Sequence, residues 1–273
     1  MTIAEWMVHS RQRLALAGVE ASLIEAQLLV GHLFLKDRTW VLTNPDETVP
    51  VLAAEALLQR RESGEPLAYI LGAREFYGRR FSVRPGVLIP RQETETLIET
   101  TLSLGLPTKS CVLDIGTGSG CIAVTLKLER PQWNVTACDI SSSALEIAQQ
   151  NATNLGASVE IVESDLLGAF RDVQFDLIIS NPPYIGVEES IPGEVRNFEP
   201  PEALFAGRDG LAIYDRLAAE AGANLKPNGL LVLELGSTQR EAVTSVFSEK
   251  SWKLMKAADD LLGHSRCLVF MAS

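Results

Sequence analysis

The chain has 273 residues, 46% of them hydrophobic and 22% charged, with a formal net charge of −11. This is the composition of a globular protein long enough for one large domain and a small one, and it excludes fibrous and low-complexity classes. The acid excess argues against direct nucleic-acid binding, and no apolar run reaches membrane-spanning length.

The amino terminus has no basic stretch followed by an apolar core, so a cytoplasmic protein with no membrane partner is expected; the expected state is a monomer. Cysteines at 111, 121, 138 and 267 show no metal-type spacing, and His9, His32 and His264 are scattered. No metal site is expected. Cys111, Cys138 and Cys267 fall in strand-like runs and read as buried thiols. Cys121 stands at a helix start, where a thiol pKa can be lowered, although packing is the commoner role.

Residues 1–72 read as helical. Ile3, Met7, Leu14 and Ala17 share a face of a first helix that Gly18 can end. Leu23, Ala26, Val30 and Leu33 mark a second, and a third runs from Pro50 to Ser63, stopped by Gly64 and Pro66. Their apolar stripes need partners, which predicts a small bundle. Residues 73–90 are expected to form a linker, with Glu75-Phe76-Tyr77 and Phe81-Ser82-Val83 as a hairpin around Gly78-Arg79-Arg80. The arginine pair reads as a solvated turn.

Residues 91–273 form the third region. From Lys109 onward, strands are expected at 110–114, 133–138, 159–163, 175–180, 230–235, 252–257 and 266–271. Helices fit at 121–129, 142–155, near 210–224 and 238–248. This alternation predicts an α/β domain with a seven-stranded, mostly parallel, doubly wound sheet.

Four strand ends carry chemistry. Val112–Ile115 runs into Gly116-Thr117-Gly118-Ser119-Gly120, whose alternate glycines let backbone approach a ligand. The loop fits neither the dinucleotide fingerprint, since Cys121 replaces the third glycine, nor a P-loop. The next strand ends in Asp139, a carboxylate able to accept both hydroxyls of a ribose. The third ends in Asp165, able to receive the NH2 of adenine; both acids read alternatively as caps. The fourth ends in Asn181-Pro182-Pro183-Tyr184. Two prolines force the chain out of the sheet, into the crevice where such folds bind ligands. The Asn181 oxygen and the Pro182 carbonyl are acceptors on a stiff backbone beside the flat face of Tyr184, a fork suited to a planar NH2 group. The plainer reading is a proline-stopped loop.

Together these four ends resemble a class I S-adenosylmethionine-dependent methyltransferase. More closely, the sequence resembles the bacterial release-factor glutamine (N5) methyltransferases over essentially its whole length. The carrying stretches are Gly64-Glu65-Pro66-Leu67, Arg74-Glu75-Phe76, Leu88 through Glu95, Asp114 through Gly120, Ser180 through Ile185 and Phe198 through Leu204. The resemblance implies S-adenosyl-L-methionine as cofactor, held by residues 116–120, Asp139, Asp165, Leu166 and Asn181. It implies peptide chain release factors as protein substrates, methylated on the glutamine of a Gly-Gly-Gln tripeptide, and a helical region 1–72 that helps dock them. Two positions depart from the family pattern: Gln92 stands where proline is usual, and Leu166 where some members have tryptophan. An adenine-N6 DNA methyltransferase is the main alternative, since the same fork suits adenine. A silent cofactor-binding module is a third.

Overall fold

Thr2 and Glu5 exchange bonds in a capping box that opens α1 (Ile3–Leu16). In the computed structural model, which describes residues 1–272, α2 (Ser22–Phe34), α3 (Arg38–Thr43), α4 (Val51–Glu62) and α5 (Leu67–Leu71) follow. Trp6 and Leu14 pack with Leu29, Val30, Ala54 and Leu58 in one apolar cluster. α3 and α5 were not legible in the sequence. At 6 and 5 residues they are too short to show a periodic stripe, and local caps such as Asp37, whose carboxylate accepts the Trp40 N–H at 2.8 Å, set them. Met1–Ala73 forms one compact unit together with Ile191–Phe198; a second comprises Arg74–Ser190 and the chain from Glu199 onward.

The hairpin belongs to the second unit. Its strands are β1 (Ala73–Phe76) and β2 (Arg79–Ser82). Tyr77 and Gly78 between them have φ of 50° and 68°, the pattern of a two-residue primed turn. The turn is therefore shorter than the sequence suggested. Arg79 lies in the strand and pairs with Glu129 at 2.6 Å, not in a solvated turn. Phe76 and Phe81 meet edge to face at 6.0 Å within a cluster that includes Leu97 and Ile98. That burial is why the segment joins the larger unit.

Beyond it come α6 (Glu95–Leu102), β3 (Cys111–Ile115), α7 (Cys121–Glu129), β4 (Asn134–Asp139), α8 (Ser142–Leu155), β5 (Glu160–Glu163) and β6 (Phe175–Ser180). Then follow α9 (Gly193–Phe198), which groups with the first unit, and α10 (Ala212–Glu220). β7 (Leu225–Glu234), α11 (Arg240–Glu249), β8 (Trp252–Asp259) and β9 (Ser265–Ala272) complete the chain. In the smaller unit the buried Arg61 bonds both Glu25 and Glu194, which ties α9 to α2 and α4.

The strand order is β5-β4-β3-β6-β7-β9-β8. Pairing is parallel from β5 to β7, and β9 runs antiparallel to both neighbours. Successive residues face opposite cores. Val112, Ile179 and Val232 pack toward α7, while Leu113, Ile178 and Leu231 pack toward α10 and α11. β7 begins five residues earlier than the sequence suggested. Lys226-Pro227-Asn228-Gly229 is carried in the strand across an irregular register opposite Phe175 and Leu177. Among the described residues no helix is long and apolar enough to cross a membrane.

Candidate active site

A cavity of about 230 Å³ opens at the carboxyl ends of β3, β4 and β6, all within the larger unit. Strand order reverses at β3, so this is the switch point at which open α/β sheets leave room for ligands.

Asp114 shapes the glycine loop from beneath. It is fully buried, and its Oδ2 accepts the Thr117 hydroxyl at 2.6 Å and the Ala123 N–H at 3.2 Å. Burial lifts its pKa to about 7. The Cys138 carbonyl accepts from the N–H groups of Gly116 and Thr117 at 2.8 and 3.0 Å. Thr117 and Ser119 are thereby buried, and a Cβ on Gly120 would press on Ala148 of α8 at 3.1 Å. Gly116 and Gly118 instead line the cavity with left-handed φ of 70° and 53°, and a Cβ on either would meet no atom of the described residues within 4 Å. Two residues of the loop thus form a cradle, and three hold it in place.

Asp139 also faces the cavity. Its Oδ2 accepts the Gly118 N–H at 2.9 Å and its Oδ1 the Ser141 N–H at 3.0 Å. Each oxygen keeps a second lone pair. The carboxylate is fixed by backbone and can still accept two hydroxyls. Asp165 lines the same cavity, but its two oxygens accept from the Arg216 guanidinium at 2.9 and 3.1 Å. The pair is roughly half exposed, so it is a solvent-screened clamp. Leu166, at φ 47°, offers an apolar wall beside it. An apolar wall, a bidentate carboxylate and a glycine cradle suit the nucleoside half of S-adenosylmethionine.

Asn181, Pro182 and Pro183 form the opposite wall. The Asn181 Nδ2 donates to the Thr94 hydroxyl at 3.3 Å. Tyr184 follows them in the same turn. It packs against the second core, and its carbonyl accepts from the Gln239 side chain at 2.8 Å. Burial raises its pKa, so the phenol stays neutral. Glu199, also buried, accepts the Ile89 N–H at 3.0 Å and bonds Arg91, which joins two of the sequence stretches singled out above. The lowered thiol pKa considered for Cys121 is not found: burial pushes it up to about 12.

Three side chains near the site escaped the sequence reading. Arg216 sits on α10 with nothing local to mark it. Thr94 lies within the stretch Leu88 through Glu95, where nothing local marks it. Glu234 ends β7 as Asp139 ends β4, a signal that was present but unused. It is 1% exposed, and burial lifts its pKa to about 7.

Comparison with known proteins agrees with this geometry. Residues 92–194 match the methyltransferase small domain family and residues 5–72 the PrmC N-terminal domain family. The release factor glutamine methyltransferase of Neisseria gonorrhoeae is 43% identical, covering 97% of this chain and 96% of that one. The enzyme of the same name from Koribacter versatilis is 41% identical, covering 98% of each chain. Among solved structures, a methyltransferase from Pyrococcus furiosus shares the fold with a TM-score of 0.53 at 21% identity, over 71% of this chain and 89% of its own. The chain belongs to the release factor glutamine methyltransferase family.

Proposed function

We propose that this protein transfers a methyl group from S-adenosylmethionine to the side-chain amide nitrogen of a glutamine in a peptide chain release factor. The family supports the reaction and the substrate. The sequence resemblance places that glutamine in a Gly-Gly-Gln tripeptide. The observation that carries the chemistry is the wall formed by Asn181 and Pro182 at the carboxyl end of β6.

An amide nitrogen is a poor nucleophile because its lone pair is delocalised into the carbonyl. What the protein supplies is therefore orientation more than a strong base. With its Nδ2 committed to Thr94, the Asn181 side chain offers its oxygen as the acceptor. Pro182 has no N–H and can offer only its carbonyl. These two acceptors hold the two N–H groups of the substrate as its nitrogen becomes pyramidal, the bonds strengthen as positive charge develops there, and one of the two protons leaves to water once the N–C bond has formed. Gly116, Gly118, Asp139 and Leu166 would hold the cofactor, with Asp165 at the rim, and the bound cofactor supplies an electrophilic methyl group on a sulfonium. Tyr184 stiffens the turn from its packed side. The helical unit supplies docking surface for the release factor.

Labelled methyl transfer offered in parallel to release factor, DNA and rRNA tests this reading. Label is expected on a release-factor glutamine alone. Asn181→Ala should lower single-turnover transfer about 10²- to 10³-fold, the scale for losing one preorganised hydrogen-bonding group. Label on DNA adenine would overturn the substrate assignment. A stable Asn181→Ala protein with normal turnover would remove Asn181 from the chemistry.

A further inference from the structure

Resting on the acceptor role of Asn181 just described, we propose that Thr94 and Glu234 are positioning residues that hold the Asn181 side chain with its oxygen toward the substrate. Three elements bring them together. Leu233 of β7 pairs with Ser180 of β6, so Glu234 follows the sheet out beside Asn181. Thr94 closes the short turn ahead of α6 and is 2% exposed.

Glu234 is an anomaly by itself. Among the described residues neither of its carboxylate oxygens finds a hydrogen bond of good geometry, and both are sealed from solvent. Unpaired carboxylates are rarely buried without a role, because desolvation penalises them heavily. The Thr94 hydroxyl stands near enough to favour the charged form of Glu234, as do Arg266 and Arg91, whereas Glu93 opposes it. Tyr184, Tyr214, Cys121 and Cys267 also feel its charge.

The hydroxyl has a single proton. When that proton points at an ionised Glu234, the Thr94 oxygen can only accept. Its other neighbour, the Asn181 amide, must then present N–H and not oxygen, which is the orientation observed at 3.3 Å. Turning the amide over would set its oxygen against the lone pairs of Thr94. Without the carboxylate the hydroxyl can donate as readily as accept, so both amide orientations become comparable. The inverted one faces the substrate NH2 with another NH2. Glu234 thus selects the useful orientation through one hydroxyl, without touching substrate.

The test is single-turnover methyl transfer by the full chain to intact release factor, with cofactor affinity measured alongside. Thr94→Val should lower the rate about tenfold, as expected when one hydrogen bond of orientation is lost, and leave cofactor affinity unchanged. Thr94→Ser should restore the rate. In an Asn181→Ala background Thr94→Val should cause no further loss, because its effect passes through Asn181. Glu234→Gln should lose a similar factor and flatten the pH profile, whereas the wild-type rate should rise as pH climbs through about 7, where Glu234 ionises. A folded Thr94→Val protein with wild-type turnover, or one whose tenfold loss persists without Asn181, overturns the proposal. If Thr94→Val does not fold, Glu234→Gln with normal turnover and an unchanged pH profile overturns it. Failure of the underlying reading looks different: Asn181→Ala alone would then turn over normally.

Discussion

Replacing Glu234 by glutamine should flatten the dependence of stability on pH. Burial lifts this carboxyl from its ordinary 4.5 to about 7. The folded state therefore holds the proton more tightly than the unfolded chain does. Stability from this group is fully present below the unfolded value, declines as pH rises from 4.5 toward 7, and stays flat above. A displacement of this size corresponds to about 3 kcal/mol in all, of which roughly 2 falls between about pH 5 and pH 8. Glutamine carries no proton to lose, so that slope should vanish from the variant whatever its absolute stability. Asp114, lifted to about 7 by the same cause, contributes equally to both proteins and cancels in the difference. Urea unfolding of wild type and Glu234→Gln across this pH range, with m-values compared, measures the effect directly. Parallel curves for the two proteins would refute the premise that Glu234 is desolvated in the folded state.

Two further substitutions probe the cavity walls. Asp139→Ala should weaken cofactor binding by up to roughly 1.5–3 kcal/mol for each charge-assisted bond lost, read by calorimetry on a protein that still folds, and unchanged affinity would remove Asp139 from the site. Gly210→Ala should lower the melting temperature and turnover together, since Gly210 has φ 75° and a Cβ there would collide with the Tyr184 carbonyl. Relief would require moving the Asn-Pro-Pro-Tyr turn, a strain of about 2–4 kcal/mol, and a variant with unchanged melting and turnover would show that the turn is not held there.

The larger unit was more legible than the smaller. α7 and α8 fall where their caps and periodicity put them, because Gly120 and Ser141 open them and Gly156 closes α8 in the left-handed conformation. Buried parallel strands announce themselves as short apolar runs. α6 is not legible because its eight residues are too few to show a periodic stripe and it opens without a side-chain cap. The lining of the candidate site is legible where the backbone itself is unusual, at the alternate glycines and the paired prolines. It was illegible where function depends on what lies across the fold. That Arg216 clamps Asp165 joins residues 51 positions apart, and that Thr94 meets Asn181 joins residues 87 apart. No local pattern carries such information.

Four carboxylates near this cavity show why strand-end acids cannot be assigned from sequence alone. Asp139, Asp165 and Glu234 stand at or just past the carboxyl ends of β4, β5 and β7, and Asp114 lies one residue inside β3. Asp139 is fixed by two backbone N–H groups and left open to the cavity. Asp165 is held by a guanidinium at the exposed rim, so any ligand group it accepts must share it with Arg216. Asp114 turns inward to a hydroxyl and an N–H, and holds the glycine loop. Glu234 is sealed off, with no partner of good geometry among the described residues. The residue type and strand position are nearly constant, while the donors each one meets are not. An open carboxylate, a clamped one, a scaffolding one and a sealed one follow from those surroundings, so the neighbours of a strand-end acid and not its position decide what it can offer a ligand.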